Sequence, residues 1–359
     1  MISGNKGEWS EIYVLFKLLG DNTLQLGDQD LGRLQGFVYP ILKVIRYESS
    51  QEVQYSLRDD IIIISGGEKV LTVPISLFKE KSELLLQRIR DSKNGTFDIP
   101  EIESFMESIN CLNLKAGSGT KTDITVVIHD VRTSQQPTLG FSIKSQLGNP
   151  STLLNAGRTT NFVYKLVNFT ISSEGVQKIN EIDSRRKIMD RIEAIRHAGG
   201  ELEFSSTANS IFSNNLTLID SRLPELLAQL ILSFYTSKSS KTVELVQNIA
   251  ASNPLDFDES NSHKYYEYKL KRFLTDVALG MMPSKVWSGE YDATGGYIVI
   301  RDDGDLLCYH IYNMNEFENY LFANTKFETA SSKRHNFGQI YEYQGDRFFN
   351  LNLQIRFIK

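Results

Sequence analysis

The chain has 359 residues, 41% hydrophobic and 23% charged, with a net charge of −5. That is ordinary globular composition, and the acidic balance argues against a protein that coats nucleic acid non-specifically while leaving room for a local basic patch. Its two cysteines, Cys111 and Cys308, lie far apart and outside any Cys/His cluster, which argues against a disulfide scaffold and structural zinc.

No apolar run approaches the ~18 residues that a membrane-spanning helix needs. The first residues lack the apolar segment of an export signal. The expectation is a cytoplasmic protein with reduced thiols and no membrane segment.

In chain order, residues 7–20 read as a helix with Leu15, Leu18 and Leu19 on one side and Gly20 as its stop. Residues 31–48 alternate weakly, as a second helix or a strand. From 51 to 78 the pattern is β, with strands at 53–57, 61–64 and 70–75 and a Ser65-Gly66-Gly67 turn. Charged amphipathic helices follow at 79–91 and 99–109. Residues 115–121 form a flexible, Gly/Ser-bearing lead-in to a strand at 122–131. A short loop at 133–137 joins it to a second strand at 140–146, and a turn follows at 147–152.

A strand is predicted at 163–171, a long helix at 173–197 ended by Gly199-Gly200, and a strongly apolar helix at 216–237. The polar stretch 237–262, with Pro254, divides a main region, 1–240, from a C-terminal α+β region, 260–359. Beyond it come a helix from Tyr265 to about Met281 and strands at 295–300, 306–312 and 348–357. The chain therefore reads as an α/β protein, a mixed central sheet flanked by helices.

The strand pair around residue 134 carries the most chemistry. Side chains alternate faces along a strand. Ile124, Val126 and Ile128 share an apolar face, while Asp123 lies on the other. On the partner strand, Ser142, Lys144 and Gln146 share one face. A loop centred near residue 134 sets Asp123 roughly opposite Lys144 and Gln146. An acid and a lysine so placed suit a metal-dependent phosphodiesterase, in which the acid holds a divalent cation and the lysine helps deprotonate water or neutralise developing charge. The alternative is an amphipathic hairpin with a solvated outer face and one surface ion pair, worth ~0–1 kcal/mol.

Glu8 and Glu11 continue the line of Leu15 and Leu18 on the first helix, so both acids point where the helix must pack. A buried carboxylate is costly unless a cation or donors meet it. The helix dipole accounts for Glu8 in the first turn better than for Glu11. Glu11 is therefore the candidate second metal-site carboxylate.

Asp123 and Ser142-x-Lys144, after a helix bearing Gly7-Glu8-Trp9-Ser10-Glu11, resemble the PD-(D/E)xK nuclease core. Longer blocks are similar to type II restriction endonucleases of the HpaII group. They are Gly4-Asn5-Lys6-Gly7-Glu8-Trp9-Ser10-Glu11, Ser142-Ile143-Lys144-Ser145-Gln146-Leu147-Gly148, Thr152-Leu153-Leu154-Asn155-Ala156, Thr160-Asn161-Phe162, Tyr309-His310-Ile311-Tyr312-Asn313 and Arg334-His335-Asn336-Phe337-Gly338. They span nearly the whole length.

The resemblance implies a PD-(D/E)xK-like fold and a Mg²⁺-dependent enzyme of the bacterial cytoplasm that cuts both strands of a short double-stranded DNA site, with CCGG the first to test. It also implies a two-fold homodimer and a cognate DNA methyltransferase in the same system. Its catalytic set is Asp123 and Glu11 on the metal, Lys144 on the attacking water, Ser142 in the place of the family's second acid, and Gln146 positioning substrate or water. Ser142 departs from the family, which carries an acid two residues before the lysine, and a serine is a poor Mg²⁺ ligand. That departure leaves open a sequence-specific DNA-binding protein with impaired catalysis; a repair or structure-specific nuclease is a further alternative.

DNA contact needs cations for phosphates and Arg, Lys, Asn or Gln for base edges. Asn155, Arg158 and Asn161 recur at helical spacing after the Lys144 strand, as one DNA-facing row or as a polar cap-and-turn set. Lys333, Arg334, His335 and Asn336 crowd one polar loop, where readout is placed together with residues 264–272. The basic residues at 184–196 are interleaved with acids and read as a solvated face.

Overall fold

A computed structural model describes residues 2–48, 51–93, 95–115 and 122–359. Of the lead-in expected over 115–121, only Lys115 is among them. The chain forms two compact units, Met1–Ser151 with Tyr291–Tyr320 and Lys359, and Thr152–Glu290 with Leu321–Ile358. The polar stretch 237–262 lies inside the second unit and contains the helix Thr242–Ser252. The architecture is mixed α/β, and among the described residues no helix is long and apolar enough to cross a membrane.

The first unit is built on a nine-stranded mixed sheet. Its strands are β1 (Thr23–Gly27), β2 (Arg33–Glu48), β3 (Gln51–Arg58), β4 (Ile61–Ser65), β5 (Leu71–Pro74), β6 (Ile124–Ile128), β7 (Thr138–Ser145), β8 (Gly296–Ile300) and β9 (Leu306–His310). Their order is β1-β9-β8-β7-β6-β2-β3-β4-β5, and β1 also pairs with β2. Residues 31–48 thus resolve as a strand. The long β2 pairs with β1 through its first half and with β6 and β3 through its second.

Both faces of β7 and β8 are covered. On one, Phe141, Ile298 and Cys308 join the core with the helices α1 (Lys6–Asp21), α2 (Ile75–Asp91) and α3 (Pro100–Ser108). On the other, Tyr297 meets Phe317 edge-on and Tyr309 stacks on Tyr320, both partners on the helix α4 (Met314–Ala323).

Helix α1 starts at a capping box. Asn5 Oδ1 accepts from Glu8 N, and Glu8 Oε2 accepts from Asn5 N at 2.8 Å. It does not stop at Gly20 but one residue later, with Asn22 in the left-handed region at φ 49°. Gly20 serves packing instead, because a Cβ there would fall 2.9 Å from the backbone of Lys79 on α2.

In the second unit, the strands Glu201–Thr207, Asn161–Val167, Asp346–Asn352 and Ile340–Tyr343 form one sheet, in that order, and Thr152–Leu154, Ile355–Phe357 and Thr325–Phe327 form another. The single strand expected over 348–357 is therefore two strands in different sheets. The helix expected over 173–197 is two, Ser173–Asn180 and Lys187–His197. The buried guanidinium of Arg191 fills the break by donating to the carbonyls of Asn180, Ile182 and Gly338. The helix expected over 216–237 is also two, Ser210–Ile219 and Leu223–Thr236. Asp220 Oδ1 accepts from Arg222 N between them, and Pro224 opens the second.

Candidate active site

Strands β6 and β7 are antiparallel, with Ile124 opposite Phe141 and Thr125 opposite Gly140. The hairpin turns earlier than a loop centred near residue 134 implies. His129 N donates to Pro40 O, so β6 ends at Ile128, and Asp130 pairs with Gln135 to close the turn. Asp123 therefore stands beside Ser142, not opposite Lys144 and Gln146. Gly140 permits the close crossing of the preceding segment, because a Cβ there would fall 2.8 Å from the side chain of Thr122.

This register builds a short chain of polar groups. Asp123 Oδ2 accepts from Ile143 N at 2.7 Å and from Ser142 Oγ at 3.0 Å. Ser142 Oγ in turn accepts from Lys144 Nζ at 3.1 Å. Serine thus links acid to lysine where the nuclease core carries a second acid. Both of the bonds to Asp123 go to its Oδ2.

Lys144 Nζ lies 4.7 Å from the centroid of the buried Tyr297 ring. Burial lowers the Lys144 pKa, and the charges of Asp123 and Glu11 raise it in opposition. Both carboxylates therefore act on this lysine. Gln146 follows β7, and its main-chain N donates to Ile300 O at 2.9 Å.

Glu11 sits one turn after Glu8 on α1. The helix is tied to β7 where Ser10 Oγ meets Ser145 Oγ at 2.9 Å. Glu8 is accounted for by the capping box and an ion pair with Lys115 at 2.8 Å. Glu11 lines a cavity of about 540 Å³ with Lys6, Glu8, Lys115, Asn149 and Ser151. Asp123 lines a smaller one, about 280 Å³, with Thr122, Thr138 and Gly140. Among the described residues no three His, Cys, Asp or Glu side chains gather tightly enough to hold a metal by themselves. Asp123 and Glu11 line separate cavities, and Asp123 by itself offers a carboxylate of the kind that Mg²⁺ takes singly or in pairs before completing its shell with waters and substrate phosphate.

The DNA-contact candidates lie in the second unit. Asn155, Arg158 and Asn161 share no helix, because Thr152–Leu154 is a strand, Arg158–Thr160 a single 3₁₀ turn and Asn161 the start of the next strand. Asn155 and Arg158 are exposed. Asn161 is buried, and its amide is spent internally: Nδ2 donates to His335 O at 2.9 Å and to Asn336 O, and Oδ1 accepts from Asn352 Nδ2. Its expected place among DNA contacts is replaced by a bracing one.

Lys333, Arg334 and His335 belong to the short helix Ser332–His335, and Asn336 caps it in the left-handed region. Lys333, Arg334 and Asn336 are exposed. Desolvation, then the charges of Arg334 and Arg158, lower the His335 pKa. Two segments far apart in sequence thus meet through Asn161, and the charges of Arg334 and Arg158 both act on His335. Lys115, Arg46, Glu48 and Tyr297 escaped the sequence reading; the first three lie in no motif, and Tyr297 reads only as an apolar strand position.

The family model described as HpaII restriction endonuclease matches residues 5–357 of the chain. Type II restriction enzyme HpaII of Haemophilus parainfluenzae is 51% identical over 359 residues, covering 99% of this chain and 99% of that protein. No solved structure matches.

Proposed function

The chain belongs to the HpaII restriction endonuclease family and is a type II restriction endonuclease that cleaves double-stranded DNA site-specifically; we propose that it does so with Asp123, Ser142, Lys144 and Glu11, on the PD-(D/E)xK pattern, at the site CCGG. The observation that carries this reading is the hydrogen-bonded run from Asp123 Oδ2 through Ser142 Oγ to Lys144 Nζ.

In this mechanism water attacks phosphorus in line with the leaving oxygen, and the P–O bond to that oxygen breaks as the new one forms. Lys144 holds the attacking water and faces the charge growing on the phosphate. Its burial brings its pKa down, which favours proton exchange with that water. Ser142 fixes the Lys144 ammonium and one Asp123 oxygen, so the lysine is positioned before substrate arrives. Asp123 and Glu11 would hold Mg²⁺, which when bound supplies charge against the phosphoryl oxygens and acidifies water. Ser142 adds no ligand to that set. Gln146 positions substrate or water.

Arg158, Lys333, Arg334, His335 and Asn336 supply DNA contacts, with Asn155 beside them. A two-fold homodimer in the bacterial cytoplasm delivers one such centre to each strand, and a cognate DNA methyltransferase protects the host site. The test is a digest of DNA of known sequence, with and without Mg²⁺. Discrete fragments ending at CCGG, formed only with the metal, are expected. Discrete cutting elsewhere removes the site assignment, and undiminished cutting in EDTA removes the metal.

A further inference from the structure

The cavity beside Glu11 holds a cation that the reaction scheme above leaves unused. Lys115 Nζ lies 2.8 Å from Glu8 Oε1, and its side chain is 63% exposed. An ammonium has three donors, and the ion pair uses one. The hydrogen bond to Glu8, and after it the charges of Glu8, Glu11 and Asp123, raise the Lys115 pKa against desolvation and keep it protonated. On the same cavity wall stand Lys6, Asn149 and Ser151, all able to donate to phosphate oxygens.

The backbone leading into Lys115 has no regular secondary structure, yet it is held firmly. Arg46 and Glu48 on β2 form a buried pair at 2.6 Å, 1% and 3% exposed. Arg46 donates to Asn113 O at 2.6 Å and Leu114 O at 2.8 Å. Glu48 Oε2 accepts from Leu112 N, Asn113 N and Asn113 Nδ2. Burying an ion pair is costly, and replacing it with apolar residues is often neutral or stabilising. Here both charges are committed to the three residues before Lys115, which fixes where that lysine emerges.

We propose that the cavity lined by Lys6, Lys115 and Asn149 is a subsite for a DNA backbone phosphate next to the scissile one, with Lys115 as its principal cation and the Arg46–Glu48 pair as the positioning device behind it. The proposal rests on the scissile phosphate being held between Asp123 and Lys144. Glu8 keeps Lys115 in place in the free protein without consuming it, because the same carboxylate closes the α1 cap through its other oxygen.

The test is equilibrium binding of a labelled duplex carrying the cleavage site, in EDTA, across a salt series, for wild type, Lys115→Ala, Lys115→Arg and Lys144→Ala. One phosphate contact fewer should weaken Lys115→Ala roughly tenfold at low salt and take about one unit off the slope of log K against log salt. Lys115→Arg should restore the slope. Thermal melting should stay at the wild-type value, because the side chain is mostly exposed. A Lys115→Ala slope and affinity equal to wild type overturn the proposal, as does Lys115→Arg behaving like Lys115→Ala. If Lys144→Ala still cuts that duplex once Mg²⁺ is supplied, the catalytic reading fails separately, while the Lys115 slope still decides the subsite.

Discussion

Ser142 Oγ lies 3.0 Å from Asp123 Oδ2 and accepts from Lys144 Nζ at 3.1 Å, so the serine joins the acid to the lysine. A serine there cannot serve a hard cation well. In the proposed mechanism it orients the two groups that flank the reacting phosphate. Ser142→Ala should therefore slow cleavage about 10- to 100-fold while DNA affinity stays within twofold of wild type, since it disturbs orientation and not contact. Single-turnover rates beside binding isotherms check this; an unchanged rate removes the serine from the mechanism.

Lys144 also makes a prediction about stability against pH. Its folded pKa lies below the ordinary lysine value of 10.5 because burial disfavours the charge. The unfolded chain thus binds more protons in the window between the two values, and stability contributed at this position rises with pH there. Below the window the penalty of the buried ammonium is fully present, and above 10.5 it is gone. Lys144→Met should be more stable than wild type at neutral pH, with the difference shrinking as pH climbs through the window. Urea melts at several pH values read it, and a pH-independent difference contradicts it.

Asn161→Ala should cost stability, about 1–3 kcal/mol, because it removes the donor to the carbonyls of His335 and Asn336 and one of the three acceptors of the Asn352 amide, which keeps Gly157 and Thr160. It should also blur site discrimination, since the 333–336 turn loses its brace. Denaturant melts and digests on near-cognate sites measure the two effects.

Arg334→Ala should do the reverse. Arg334 is exposed, so stability should hold within about 0.5 kcal/mol. Binding should weaken and the salt slope should fall by about one unit if it meets phosphate. A relaxed preference at one base position with an unchanged slope would instead assign it to a base edge.

Much of this was legible in the residues. The alternation of Ile124, Val126 and Ile128 marks a strand with one apolar face, and the structure buries all three. The alternative of a solvated outer face fails at Lys144, whose ammonium lies over the buried ring of Tyr297, a residue far along the chain that no local pattern brings there. Asp123 falls beside Ser142 because the turn closes at the Asp130–Gln135 pair, ahead of a loop centred near residue 134. The break before Leu223 was readable, since Asp220 and Pro224 are start signals for a new helix. The burial of Asn161 was not, since its partners lie some 170 to 190 residues away.

Gly20 gives a further check on the packing that seats α1. Gly20→Ala should cost about 1–3 kcal/mol through overpacking against Lys79, and thermal melting reads it. An unshifted melting temperature would mean that α1 and α2 do not approach so closely.

The most direct measurement pairs two readouts on Lys144→Ala: binding of a duplex carrying the cleavage site, and single-turnover cleavage of that duplex with Mg²⁺. Binding near the wild-type level with cleavage lost is the expected result. Cleavage at the wild-type rate would show that hydrolysis happens without the Asp123–Ser142–Lys144 run.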